Sequence, residues 1–198
     1  MDVLSVLQKM FSKSAPLATV LLLLCGCDEP AKSIQKAPST MTKWHKYIVA
    51  FHNLDNADEP DSLVLGSPAT ATSIAEFEKA VGYSMPEEFK ELYSEYDGFG
   101  TTRDGEVDWF FLPVARLPDH ASEVRDWFQE THPEIAKRFV PFVDWGNGDA
   151  SGYVFAASGV PEPGIFIFEH ESYEYEEDQD WREFLIPVDT SIRDFLTD

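Results

Sequence analysis

Both cysteines of this 198-residue chain, Cys25 and Cys27, lie within its first 27 residues. Everything downstream must hold together without a disulfide and has no thiol to offer a metal or a substrate. Side-chain burial therefore carries the fold. Hydrophobic residues make up 43% of the chain and aromatics 14%, enough for a packed core and too much for wholesale disorder. Charge constrains the partners instead. With 36 acidic against 15 basic residues, a formal charge of −21, the chain lacks the basic face that phosphate backbones require, and no nucleic-acid partner is expected.

The cysteines close a distinctive leader. Lys9 and Lys13 precede an uncharged, mostly apolar run over residues 15–26. It is shorter than the roughly 18–20 apolar residues of a spanning helix and suits the apolar core of an export signal. The run ends in Leu24-Cys25-Gly26-Cys27, which resembles the bacterial lipobox. Small side chains there admit the peptidase, and the Cys27 thiol is the group a diacylglyceryl donor alkylates. Residues 1–26 thus read as a lipoprotein signal peptide. Residues 27–40 read as lipidated Cys27 and a flexible tether, a coil of roughly 20 Å. Asp28 behind the lipid cysteine resembles an inner-membrane retention signal of some Gram-negative bacteria. The expected location is the cell envelope, lipid-anchored and facing the periplasm in a Gram-negative cell; translation from Met41 would give a cytoplasmic product instead.

Residues 41–198 read as one domain. Thr42 is placed to cap a helix carrying Trp44, Tyr47, Ile48 and Phe51 at spacings of three and four. Residues 63–65 suit a short strand. Ser73 and Glu76 have capping-box spacing ahead of Ile74, Phe77 and Val81, and that helix ends near Gly82. Pro86 suits the first position of the next helix, with Phe89, Leu92, Tyr93 and Tyr96 as its apolar stripe. Strands are expected over residues 107–112, 139–145, 152–156 and 165–169, and another from the alternation of Phe184, Ile186 and Val188. Pro141 marks residues 139–145 as an edge or bulged strand. Residues 119–131 suit an inserted helix with Val124, Trp127 and Phe128 on one face, and Ser191 caps a short last helix. The expectation is α+β: a mainly antiparallel sheet of about five to six strands, with N-terminal helices, one inserted helix and a short C-terminal helix.

Patterns that would carry chemistry fail on context. Gly146, Gly148 and Gly152 precede Tyr153-Val-Phe-Ala, a strand-like segment, whereas a phosphate loop feeds a helix N-terminus; residues 146–149 read as a hairpin turn. Ser151 lies outside the spacing of a nucleophile elbow. His45 and His52 stand seven apart, not at ligand spacing, and read as surface or capping residues. No metal, cofactor or catalytic residue is expected.

Residues 169–180 hold seven carboxylates with Tyr173 and Tyr175. This segment reads first as a solvated acidic loop. Functionally it reads as a face for a basic partner, with exposed tyrosines giving contact and charge giving on-rate. The candidate partner-binding residues are Trp145, Asp149, Tyr153, Glu171, Tyr173, Glu174, Tyr175 and Glu176.

Further motifs recur in order: Pro68-Ala-Thr70, Ile74-Ala-Glu-Phe-Glu78, Gly82-Tyr83, Met85-Pro-Glu-Glu-Phe-Lys90, Leu92-Tyr93 and Tyr96-Asp-Gly-Phe-Gly100. With residues 110–117, 142–153 and 164–170, the set resembles the SUKH superfamily of Smi/Knr type over residues 41–196. That resemblance implies an α+β fold without enzyme activity: bacterial members act mostly as immunity proteins that bind toxins, and fungal ones as regulatory interaction modules. It carries over no catalytic residue, and it implies core or cleft positions for Trp109, Trp145 and Tyr153. The expectation is a non-enzymatic binding module with a basic protein partner, a toxin or an envelope protein. Its competitors are a carboxylate-dependent envelope hydrolase, to be tested at Asp149, and a purely structural envelope lipoprotein. Mass spectrometry of the mature N-terminus should find lipidated Cys27; an intact N-terminus, or one at Met41, would refute the leader.

Overall fold

The computed structural model describes residues 42–56, 58–59 and 62–197. The signal, Cys27 and the tether lie outside them. No helix among the described residues is long and apolar enough to cross a membrane.

Seven strands form one antiparallel sheet in which spatial order follows chain order, a meander. In sequence come α1 (His45–Asp55), β1 (Leu63–Leu65), α2 (Ala71–Val81), α3 (Glu87–Glu95), β2 (Phe99–Arg103) and β3 (Glu106–Phe111). Then follow α4 (Leu117–Phe128), α5 (Pro133–Ala136), β4 (Phe139–Asp144), β5 (Ala150–Val154), β6 (Ile165–Phe168), β7 (Leu185–Asp189) and α6 (Ile192–Phe195). The fold is α+β, one domain, with one strand more than the upper expectation.

The added strand is β2, hidden in the sequence by Gly100 within it and Gly98 just before it. Gly100 stands where a Cβ would lie 2.1 Å from the Asp108 carbonyl oxygen. The glycine is there because β2 and β3 approach too closely for a side chain, not because the chain turns.

Several local expectations shift by a few residues. Trp44, not Thr42, takes the α1 N-cap, without a side-chain cap. Its amide donates to Glu95 at 3.0 Å, while the Thr42 hydroxyl meets that of Tyr96. Thr70, not Ser73, caps α2, accepting from the Ser73 amide at 3.0 Å; Ser73 lies inside the first turn. Pro86 is the α3 N-cap, one place before the helix. Ser191 caps α6 as expected, accepting from the Asp194 amide.

Strand alternation divides the core in two. Along β5, Ala150 and Val154 point into one cluster with Val124, Phe128, Phe139, Phe168 and Phe184. Tyr153 points into the other, with Phe89, Tyr93, Phe111, Val140 and Phe142. The register agrees: Phe139 pairs with Val154, and Val140 with Tyr153. Both faces of the central strands are thus covered. That overturns the edge expectation for residues 139–145, since β4 is fourth of seven. Pro141 is accommodated by the expected bulge, a register shift between Pro141 and Val143. Two packing expectations also fall. Trp127 is 42% exposed, beside buried Val124 and Phe128 on α4, and Val188 is exposed on β7. Of the alternating set Phe184 is fully buried, just before β7, and within the strand the fully buried residue is Leu185.

Gly152 faces the bulge. A Cβ there would lie 2.2 Å from the Val140 carbonyl oxygen and 2.5 Å from the Pro141 Cα. Backbone on a doubly buried strand has nowhere to move. Gly152→Ala is expected to destabilise the domain by about 2 kcal/mol or more; Gly105→Ala, at an open hairpin tip, should cost only about 1 kcal/mol for its positive φ. Urea denaturation of both variants checks the order.

Candidate functional site

The β4–β5 turn is built by its own side chains. Asp144 accepts from the Gly146 amide at 2.8 Å, Asn147 accepts from the Asp149 amide at 3.0 Å, and the Asn147 side-chain amide returns to Asp149 at 2.9 Å. Asp149 then reaches across to the chain leaving β6: its Oδ1 accepts from the His170 backbone amide at 2.9 Å and lies 2.7 Å from His170 Nδ1. This latch joins the turn to the acidic segment behind it. Burial alone would raise the Asp149 carboxyl, but the His170 and Asn147 hydrogen bonds outweigh it and hold the group below its usual range.

The acidic segment is more ordered than a solvated loop. Tyr173 is buried in the second cluster, its hydroxyl 2.6 Å from that of Thr131. Gln179 clamps the loop from within, donating to the Ser172 carbonyl at 2.7 Å and accepting from the Glu174 amide at 3.0 Å. The Gln179 carbonyl accepts from His132 Nε2 at 2.8 Å. Out of this frame projects Tyr175, 61% exposed, with a left-handed φ of 60° that a bulky residue adopts only under strain. Its ring leans on Tyr173 at 4.4 Å. Glu171, Glu174 and Glu176 are exposed around it.

The candidate residues therefore separate. Trp145, Glu171, Glu174, Tyr175 and Glu176 are exposed. Asp149 is the latch. Tyr153 and Tyr173 are core residues: this corrects the reading of Tyr173 as an exposed contact tyrosine and moves Tyr153 from the candidate contacts to the core, one of the two positions the family resemblance implied for it. The Tyr153 hydroxyl donates to Glu88 at 2.9 Å, and Glu88 also accepts from the Ile192 amide at the start of α6. Burial, and then the neighbouring Glu88 carboxylate, push the Tyr153 phenol well above its usual range.

Sequence reasoning missed a cleft of about 330 Å³ beside the turn, between α1, the β2–β3 hairpin and Trp145. Its floor is aromatic. Phe110 meets Trp145 edge-on at 4.9 Å and stacks with Phe51 at 5.1 Å. The Trp145 indole donates to buried Ser151 at 2.9 Å, fixing the ring while 41% of the residue stays exposed. Asp108, Asp144 and Arg103 also line the cleft. So does His52, which is 5% exposed rather than a surface histidine and lies 3.1 Å from the Ser62 hydroxyl. The only signal in the sequence was the polar–aromatic mixture of residues 108–110. Among the described residues no group of three His, Cys, Asp or Glu is arranged to hold a metal ion.

Residues 68–187 match the sequence model of the SMI1 / KNR4 family (SUKH-1). The chain belongs to this family. Its domains are generally non-enzymatic and bind protein partners, which agrees with the expected fold and general role of this SUKH domain. No curated protein matches the chain.

The latch has a pH signature. A depressed folded-state carboxyl contributes stability above its unfolded value, and that contribution is lost as pH falls through the folded value. Asp149→Asn should cost about 1–3 kcal/mol near neutral pH. The gap between the urea midpoints of the two proteins should begin to narrow only once the pH falls below about 4, and close as it drops through the lower folded value.

Proposed function

We propose that this SUKH domain is a lipid-anchored, non-enzymatic module of the cell envelope that binds a basic protein partner through its acidic loop. A toxin acting in or arriving through the periplasm is the partner that best joins the family to an export signal. The carrying observation is Tyr175, strained and exposed, on a loop pinned by Gln179, His132 and Thr131. A loop already held in shape loses little entropy on docking. Glu171, Glu174 and Glu176 around it favour encounter with a basic surface, within an overall charge of −21.

Asp149, where a carboxylate-dependent hydrolase was to be tested, engages both carboxylate oxygens with Asn147 and His170. That is the arrangement of a structural latch, and it favours the binding reading.

Full-length protein purified from detergent-solubilised membranes should retain a protein partner, less so as salt rises. The double variant Glu174→Lys/Glu176→Lys should reduce recovery about tenfold or more. Recovering no partner, together with no protection against a toxin encoded alongside, would overturn the proposal.

A further inference from the structure

The cleft beside Trp145 combines three features. Its floor and walls are aromatic, supplied by Phe51, Phe110, Trp109 and Trp145. Phe110 also stacks with buried Phe195 at 6.2 Å, so the floor continues into the core and is rigid. Two carboxylates, Asp108 and Asp144, stand in its lining.

The third feature is a buried polar wall. The Ser62 hydroxyl donates to the Glu59 carbonyl, so toward His52 its oxygen accepts, and His52 Nε2 carries the proton. The other ring nitrogen of His52 is shielded from solvent and is not open to an occupant of the cleft. Carboxylates around an aromatic floor call for a flat cation with several donors.

Arginine fits that description better than lysine. Its guanidinium stacks on indole and phenyl faces and forks onto carboxylates, whereas an ammonium is a compact, strongly hydrated point charge. The chain supplies its own precedent: Arg103 lines the cleft with Nη1 3.9 Å from Asp108. Both side chains are more than 60% exposed, so this pair is weak and exchangeable.

We propose that the cleft receives an arginine side chain of a protein partner, seated on Trp109 and Trp145 and displacing Arg103 from Asp108. This rests on the protein-binding reading above and names the chemistry recognised beside the acidic loop.

The test uses the full-length protein, ¹⁵N-labelled at tryptophan in detergent micelles. The probes are the capped peptide Gly-Gly-Arg-Gly-Gly and its lysine and citrulline counterparts. The arginine peptide should shift the indole signals of Trp109 and Trp145 saturably and leave those of Trp44 and Trp127 in place. The lysine peptide should bind about three- to tenfold more weakly, and the uncharged citrulline peptide should give no response. Asp108→Asn, at an exposed position, should weaken the arginine peptide about three- to tenfold. Arg103→Ala, which removes the internal competitor, should tighten it. Equal responses to arginine and citrulline, a shift confined to Trp127, or no shift would each overturn the proposal. The two readings fail separately. A partner captured through Glu174 and Glu176 with silent indoles would remove the cleft alone. An indole response without any captured partner would support the cleft's chemistry and count against the docking role.

Discussion

The two-sided burial of β4 and β5 is the constraint on which the rest of the structure depends. Their side chains enter both clusters, and Gly152 lets β5 close on the bulge at Pro141. The described residues include no cysteine and no cluster arranged to hold a metal ion, and this pair is held by aromatic packing and by register. A one-residue slip would exchange Tyr153 and Val154 between faces, placing a hydroxyl that now meets Glu88 in an apolar cluster. The turn at the end of the pair inherits that rigidity. Trp145 and Asp149 are positioned by the strands that carry them, and through His170 so is the start of the acidic loop.

Charge is managed residue by residue. An excess of 21 negative charges works against compaction, and most acidic groups answer this by staying in water. The carboxylates that turn inward each have a task. Glu88 joins Tyr153 to the start of α6, Glu95 meets the Trp44 amide, and Asp149 latches turn to loop. Each satisfies a donor that burial would otherwise leave unpaired. The acids of residues 171–178 have no such internal work in common. They lie on a scaffold whose anchors are Tyr173, Gln179 and His132.

The division between what could be read in the sequence and what could not follows from the range of the interactions. Helix stripes, turn residues and the Ser191 cap are local, and residue spacing revealed them. So did the acidity and tyrosines of residues 169–180. Burial depends on partners far along the chain. Tyr173 and Tyr175 look alike in sequence, yet Phe128, Phe168 and Thr131 claim the first and leave the second outside. His52 was misjudged for the same reason, its partner being Ser62, and the Tyr153 hydroxyl likewise meets a distant partner, Glu88. Gly100 and Pro141 carry turn and edge signals that are correct on average; here a close strand approach and a bulge override them. The cleft drew on α1, β2, β3 and the β4–β5 turn, and no single segment could announce it.

In the proposed recognition, cleft and loop would divide the work along physical lines. Exposed carboxylates act over roughly a Debye length, about 8–10 Å in physiological salt, and so govern encounter and orientation more than dwell time. An aromatic floor acts only at contact, where lost water and fixed geometry govern release. Neither substitutes for the other: an acidic loop alone would hold any basic protein loosely, and a cleft acts only once a side chain has reached it. The Asp149–His170 latch fixes the turn beside the cleft to the chain that opens the loop. On the proposed reading, a partner steered by the one would be presented to the other in a single orientation, which is how a surface of ordinary acidic residues can acquire specificity.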